Sequence, residues 1–236
     1  MTVASSLPPA SGTGASASVP PFAGGFESSA PESERSAHAG AHIGQESMAR
    51  DTGSIFACGA VLVPDFVTPA EEARILLRIN EAPWLAELSR RVQHYGFRYD
   101  YRGTTRPVPA APFPRWTQVM AERLRPHFGG ALPVQCIVNE YRPGQGIGMH
   151  ADHRDFGPVV ASLSLGADWP MRFRPRASRP YAAGALPGDE VAVLPRRSVL
   201  VLSGAARHRF MHGIDRRMSA RETAPRVSAT FRTLAG

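Results

Sequence analysis

Lysine is missing from this sequence: all 27 basic residues are arginine. Arginine suits bidentate contacts to phosphate and carboxylate. A complete absence of lysine beside so much Ala, Gly and Pro nevertheless reads as compositional bias, and it carries no functional weight. Cysteine is scarce too. The two that occur, Cys58 and Cys136, make no CxxC and no framework, and each lies in an apolar, strand-like run. They are expected to be core thiols in a reducing compartment rather than a disulfide. No apolar run approaches the length of a membrane span. The first 34 residues hold no Lys or Arg and no apolar segment, unlike a secretory signal or an Arg-rich transit peptide. A cytoplasmic monomer without membrane association is expected.

The formal charge of +7 is unevenly spread. Residues 141–236 carry fifteen Arg against seven acids, whereas residues 51–140 carry ten against nine. A basic rim around a reactive site favours an anionic partner such as nucleic acid; a solvated basic surface would give the same count. Residues 1–53 are rich in Ser, Ala, Gly and Pro and lack a periodic apolar pattern. Such a segment buries too little surface to offset its ordering entropy, so a disordered tail is expected. Residues 54–236 then form one domain, large enough for a single core.

Within that domain Ile55–Val63 reads as a strand. Thr68-Pro-Ala-Glu71 reads as an N-cap, with Pro at the first helical position and Glu at the third. The helix that follows presents Ala73, Leu76, Leu77 and Asn80 at helical spacing, and residues 115–127 form a second helix. Beyond Leu132 come short apolar runs broken by Gly and Pro: 134–141, 159–165, 169–173, 191–194, 198–202, 208–211 and 226–231. The pattern predicts an α+β domain, mainly β, with a double-sheet or barrel architecture and N-terminal helices bracing one sheet.

His150 and Asp152 are two apart, so on extended chain both point to one face. With His212 in Met211-His-Gly-Ile214 they supply two imidazoles and one carboxylate. That set holds one face of a non-haem iron(II) and leaves positions open for a co-substrate and dioxygen. Zinc also accepts such ligands, but a hydrolytic zinc site leaves two downstream arginines without a task. His153 is expected on the opposite face of the strand from Asp152. His208, on the same face as His212, lies about 13 Å away at roughly 3.3 Å per residue.

Those arginines, Arg226 and Arg232, are six apart and face one side of a strand, with Ser228 and Thr230 between them. Two guanidiniums there are costly unless paired, either by a small bound dicarboxylate or by protein carboxylates. Asn139 and Tyr141, alternate residues of another strand, can complete the polar lining. On the substrate side, His94 to Tyr101 mixes aromatics with Arg. It suits a nucleotide lid with Arg91, His94, Tyr95 and Tyr99 as contacts, or else a β-hairpin packed on the core. Arg172, Arg174, Arg176 and Arg179 form either a phosphate track or solvated surface.

Taken together these residues make the chain resemble the AlkB family of iron(II)- and 2-oxoglutarate-dependent dioxygenases. The resemblance rests on Asn139-Glu-Tyr-Arg-Pro-Gly144, His150-Ala-Asp152, Ser162-Leu-Ser-Leu-Gly166, Met171-Arg-Phe-Arg174, Ser203-Gly204 with Arg207, His212-Gly-Ile214, and Arg226 through Arg232. It runs from about residue 55 to the end. Arg90-Arg-Val-Gln-His-Tyr-Gly96 and Leu194-Pro-Arg-Arg-Ser198 look closest to the branch with the tRNA-modifying homologues. The resemblance implies a double-stranded β-helix, or jelly roll. It implies His150, Asp152 and His212 as iron ligands, and Asn139, Tyr141, Arg226, Ser228 and Arg232 around 2-oxoglutarate. It further implies hydroxylation or oxidative demethylation of an alkylated base in single-stranded DNA or RNA, yielding succinate, carbon dioxide and formaldehyde. Repair members usually carry an acid two places after the iron Asp; this chain has Arg154. A protein or small-molecule hydroxylase with the same chemistry, or a catalytically silent nucleic-acid-binding module, are the alternatives.

Overall fold

The structure is a computed structural model that describes residues 56–86, 89–98, 107–176 and 188–235. The expected tail, 1–53, lies outside these residues. Along the described chain run β1 (Val61–Val63), α1 (Pro69–Glu81), β2 (Val92–Tyr95), β3 (Phe97–Arg98), β4 (Val108–Pro109) and α2 (Arg115–Leu124). There follow β5 (Gln135–Tyr141), β6 (Ile147–His150), β7 (Phe156–Leu165), β8 (Trp169–Pro175), β9 (Glu190–Leu194) and β10 (Val199–Leu202). The last elements are α3 (Gly204–His208), β11 (Phe210–Ile214), α4 (Arg216–Ser219) and β12 (Arg226–Leu234).

A large sheet takes the order β1-β10-β7-β12-β5-β2 and a small one β6-β11-β8-β9. The pairings within both are antiparallel. From β5 onward the chain passes back and forth between the two sheets, which is the jelly roll expected from the sequence. Strand alternation divides the buried residues into two layers. On β12, Val227, Ala229 and Phe231 join Ile75, Ile79, Trp116, Met120 and Leu124 in a core between the large sheet and the helices. A second core, with Trp169, Phe173, Leu194, Leu200 and Phe210, fills the sandwich itself. Cys58 and Cys136 are buried free thiols, and burial pushes the Cys136 thiol up.

Helix α1 starts as its sequence predicts. Thr68 accepts from the backbone N–H of Glu71, whose carboxylate accepts from the N–H of Thr68. Its buried face is turned from the expected stripe, of which Leu76 packs against the core. Glu72, Ile75 and Ile79 point inward, while Ala73 and Asn80 are exposed and Leu77 is 55% exposed. The reason is Glu72, a charge that belongs to the core because its partners wait there. It accepts from the backbone N–H of Gly166 at 2.9 Å and from Arg196 at 2.6 Å, with Arg197 at 3.5 Å. This ion-pair cluster ties α1 to two turns of the large sheet. Among the described residues, no helix is long and apolar enough to cross a membrane.

Candidate active site

The two histidines meet across the small sheet. His212 on β11 stands opposite His150 on β6 in the ladder, and the ring centroids are 4.5 Å apart. Gly213 makes this approach feasible: a Cβ there would lie 2.9 Å from both the Ile147 carbonyl and the Met149 Sδ. His150 Nδ1 lies 2.9 Å from the Gly148 carbonyl. A carbonyl only accepts, so Nδ1 is the donor in this contact and Nε2 is the ring nitrogen left to a ligand. Burial pushes His212 down to about 4 against the pull of Asp152, so this imidazole is neutral at neutral pH.

Asp152, in the turn after β6, brings its carboxylate to 3.6 Å from His212 Nε2. Arg232 on β12 donates to Asp152 Oδ1 at 2.7 Å, whereas Oδ2 is buried with no hydrogen-bond partner. Burial opposes the charged form, but the Arg232 guanidinium holds this carboxyl well below the usual carboxylate range. Arg207 on α3 braces the same turn, donating to the carbonyls of Asp152 and His153 at 3.0 and 2.8 Å. Among the described residues no three such side chains form a closed metal cluster, though His150 and Asp152 both lie against His212. The chemistry of the set nonetheless fits a divalent ion: two imidazoles, that of His212 neutral at neutral pH, and one orphaned carboxylate oxygen on a single patch.

Across the large sheet the site-facing residues stand in rows. Tyr141 lies opposite Arg226; Asn139, Ser228 and Ser164 form the next row; Gln135, Arg232 and Val160 lie farther on. The two arginines are not equivalent. Arg232 is held by Asp152 and by Gln135, whose Oε1 accepts at 3.0 Å. Arg226 is 1% exposed, donates to Ser164 Oγ at 2.9 Å, and leaves Nε buried without a partner. Burial pushes its guanidinium down to about 10. No carboxylate among the described residues pairs with it, so its charge calls for an anion from outside.

Register also decides the fate of the residues expected to face a substrate. On β2, Val92 and His94 pair with Asn139 and Ile137, and Gln93 and Tyr95 with Val138 and Cys136. Paired residues share a face, so His94 stands on the site side and Tyr95 on the helix side. Tyr95 is therefore a core residue, edge-on to Trp116 and donating its hydroxyl to Gln93 Oε1 at 2.9 Å. Arg91 is likewise committed, donating to both oxygens of Glu140 at 2.6 Å and stacking over Trp84. Tyr99 and Arg179 lie outside the described residues. Arg172 and Arg174 are held by Asp189. His208 closes helix α3 and not a strand, and its side chain is exposed.

Sequence reasoning passed over Arg90. Its Nε donates to Asn139 Oδ1 at 2.8 Å and its guanidinium lies over the Tyr141 ring. Arg90 and Arg91 thus grip opposite faces of β5. Ser164 and Gln135 were missed as well, although strand alternation from Ser162 and Ile137 puts both on the site side.

Residues 82–232 match the family described as the 2OG-Fe(II) oxygenase superfamily. The chain belongs to this superfamily. The oxygenase is 34% identical over 207 residues to the mouse protein named alpha-ketoglutarate-dependent dioxygenase alkB homolog 4, covering 75% of this chain and 67% of that one. This places it in the AlkB family. It is also 35% identical over 172 residues to the Xenopus tropicalis protein named tRNA (carboxymethyluridine(34)-5-O)-methyltransferase alkbh8. That match covers 67% of this chain but spans only 25% of the Xenopus protein. Among solved structures, OsALKBH1 shares the fold with a TM-score of 0.56 at 18% identity, over 74% of this chain and 98% of the other. The oxygenase is thus a dioxygenase that uses iron(II), 2-oxoglutarate and O2.

Proposed function

We propose that this dioxygenase hydroxylates a substituent on a modified base in nucleic acid, with tRNA the first candidate, and that hydroxylation of an N-methyl group ends in demethylation. His150, Asp152 and His212 hold the iron in this reading. Arg226, Ser228, Asn139 and Tyr141 receive 2-oxoglutarate, with Arg232 beside it. The observation that carries the reading is Arg226, a buried cation without an acidic partner among the described residues, on the strand that also delivers Arg232 to Asp152. Bound iron(II), 2-oxoglutarate and dioxygen together supply an oxidant able to hydroxylate a C–H bond, with succinate and carbon dioxide as co-products.

The chain's own groups do the positioning. Arg226 offers its guanidinium to a terminal carboxylate, which charge-assisted bonds favour. Asn139 has its oxygen occupied by Arg90, so its NH2 remains as a donor to the ligand. Arg232 fixes Oδ1 of Asp152 and so turns Oδ2 toward the imidazoles. A nucleic-acid substrate is supported by the arginine excess of the C-terminal half and by the tRNA named for the Xenopus relative.

The test is succinate formation by protein reconstituted anaerobically with iron(II), then given 2-oxoglutarate and oxygen. It is run with and without tRNA and single-stranded DNA bearing modified bases. Succinate that rises with nucleic acid, with a matching mass change in one base, is the expected result. Succinate that ignores every nucleic acid would redirect the search to protein or small-molecule substrates.

A further inference from the structure

A cavity of about 350 Å³ opens beside Asp152. Arg154, Arg176, Arg207 and His208 line it, Met211 gives it an apolar wall, and Asp152 is the single carboxylate among its lining residues. That carboxylate is already matched by Arg232. The cavity therefore holds more positive charge than its own residues compensate.

The committed and the available donors can be told apart. Arg207 is 4% exposed and spends its terminal nitrogens on the carbonyls of Asp152, His153 and Phe156. Its Nε is buried without a partner. Burial and the nearby charges of Arg232 and Arg176 press its guanidinium down, which Asp152 only partly offsets. Arg176 reaches the His208 carbonyl with one long bond of 3.4 Å and keeps its other side-chain donors. Arg154 is exposed, and none of the contacts seen among the described residues engages its guanidinium. Two planar forks thus face one cavity next to the His/Asp set, a geometry matched by carboxylate or phosphate oxygens.

We infer that this cavity is an oxyanion subsite, which takes a carboxylate on the modified base or a phosphate of the strand that carries it. The inference rests on the nucleic-acid reading above and sharpens it. A base made cationic by alkylation of a ring nitrogen is repelled by this lining, whereas a base with an acidic substituent is drawn in.

The experiment compares the parent with the double variant Arg154→Ala/Arg176→Ala, both at exposed positions. Inorganic phosphate is added in the presence of saturating 2-oxoglutarate, so that Arg226 is already occupied, and thermal stability is followed. The parent is expected to gain stability and the variant to gain none, while 2-oxoglutarate still stabilises both. Binding is then measured for one RNA sequence with a carboxymethyl or a methyl group on the same uridine. Weakening of about tenfold or more for the carboxymethyl RNA alone assigns the subsite to a base carboxylate. Equal weakening of both RNAs, with a shallower salt dependence, assigns it to a backbone phosphate. A variant that keeps the parental phosphate response and parental RNA affinity overturns the subsite, even if RNA is turned over. A parent that responds to phosphate while no nucleic acid raises succinate keeps the subsite and removes the nucleic-acid reading.

Discussion

Arg232 and Asp152 meet from opposite layers of the sandwich. The guanidinium comes from β12 of the large sheet and the carboxylate from the turn that ends β6 of the small one, with Nε to Oδ1 at 2.7 Å. Replacing Arg232 with Met frees Asp152 to rotate its unpartnered oxygen away from the imidazoles. Partners that orient metal ligands are typically worth about 10–100-fold in affinity. Iron(II) affinity of Arg232→Met, titrated anaerobically, is expected to fall by that order. Parental affinity would reduce the pair to an inter-sheet contact.

Arg226 behaves differently. It is a buried cation whose charge no protein carboxylate offsets among the described residues, so its loss removes a desolvation cost along with one bond to Ser164. Arg226→Met should keep or raise the melting temperature of the ligand-free protein. It should also lose the stabilisation that 2-oxoglutarate gives the parent, which at a hundredfold excess over Kd amounts to about 2.7 kcal/mol. A thermal-shift titration reads both effects, and a variant still stabilised by 2-oxoglutarate would rule Arg226 out as its clamp.

Glu72 carries an acid-sensitive contribution to stability. Its burial favours protonation, but Arg196, the Gly166 N–H and Arg197 hold its carboxyl below the ordinary value. A folded pKa below the unfolded one gives stability that is fully present above the unfolded value and fades as pH falls through the folded one. Glu72→Gln should cost about 1–3 kcal/mol at neutral pH. The gap between variant and parent should close in acid. Denaturant unfolding from about pH 3 to about pH 7, a window that contains the ordinary glutamate value of about 4.3, checks this, and a gap that is constant with pH would contradict it.

Tyr95 offers a test of register. Its hydroxyl donates to Gln93 in the core between helices and large sheet, so Tyr95→Phe should destabilise by about 0.5–1.5 kcal/mol. Nucleic-acid affinity should stay parental in a direct binding assay. Weakened binding without lost stability would return Tyr95 to the substrate surface.

The sequence made some of this legible and hid the rest for physical reasons. The capping box at Thr68, the alternation of Arg226 through Arg232 and the spacing of His150 and Asp152 are local patterns, and local patterns survive folding. Tyr95 depended on which face of β5 it would share, and that parity is set by a pairing more than forty residues away. On helix α1 the apolar spacing finds Leu76 but not the centre of the buried face, because a buried Glu72 makes sense only once Arg196 and Arg197 are in place. Arg91 and Arg90 are adjacent, and no local rule says which one serves Glu140 and which one Asn139.

His150 and His212 ride on one layer of the sandwich, and Arg226 and Ser228 on the other. A ligand that reaches both groups is therefore a cross-link between layers, seated at their open mouth. In the proposed reading each turnover inserts that brace and then removes it. The spacing of two whole sheets, and not any single side chain, then sets how far the carboxylate clamp at Arg226 lies from the imidazoles.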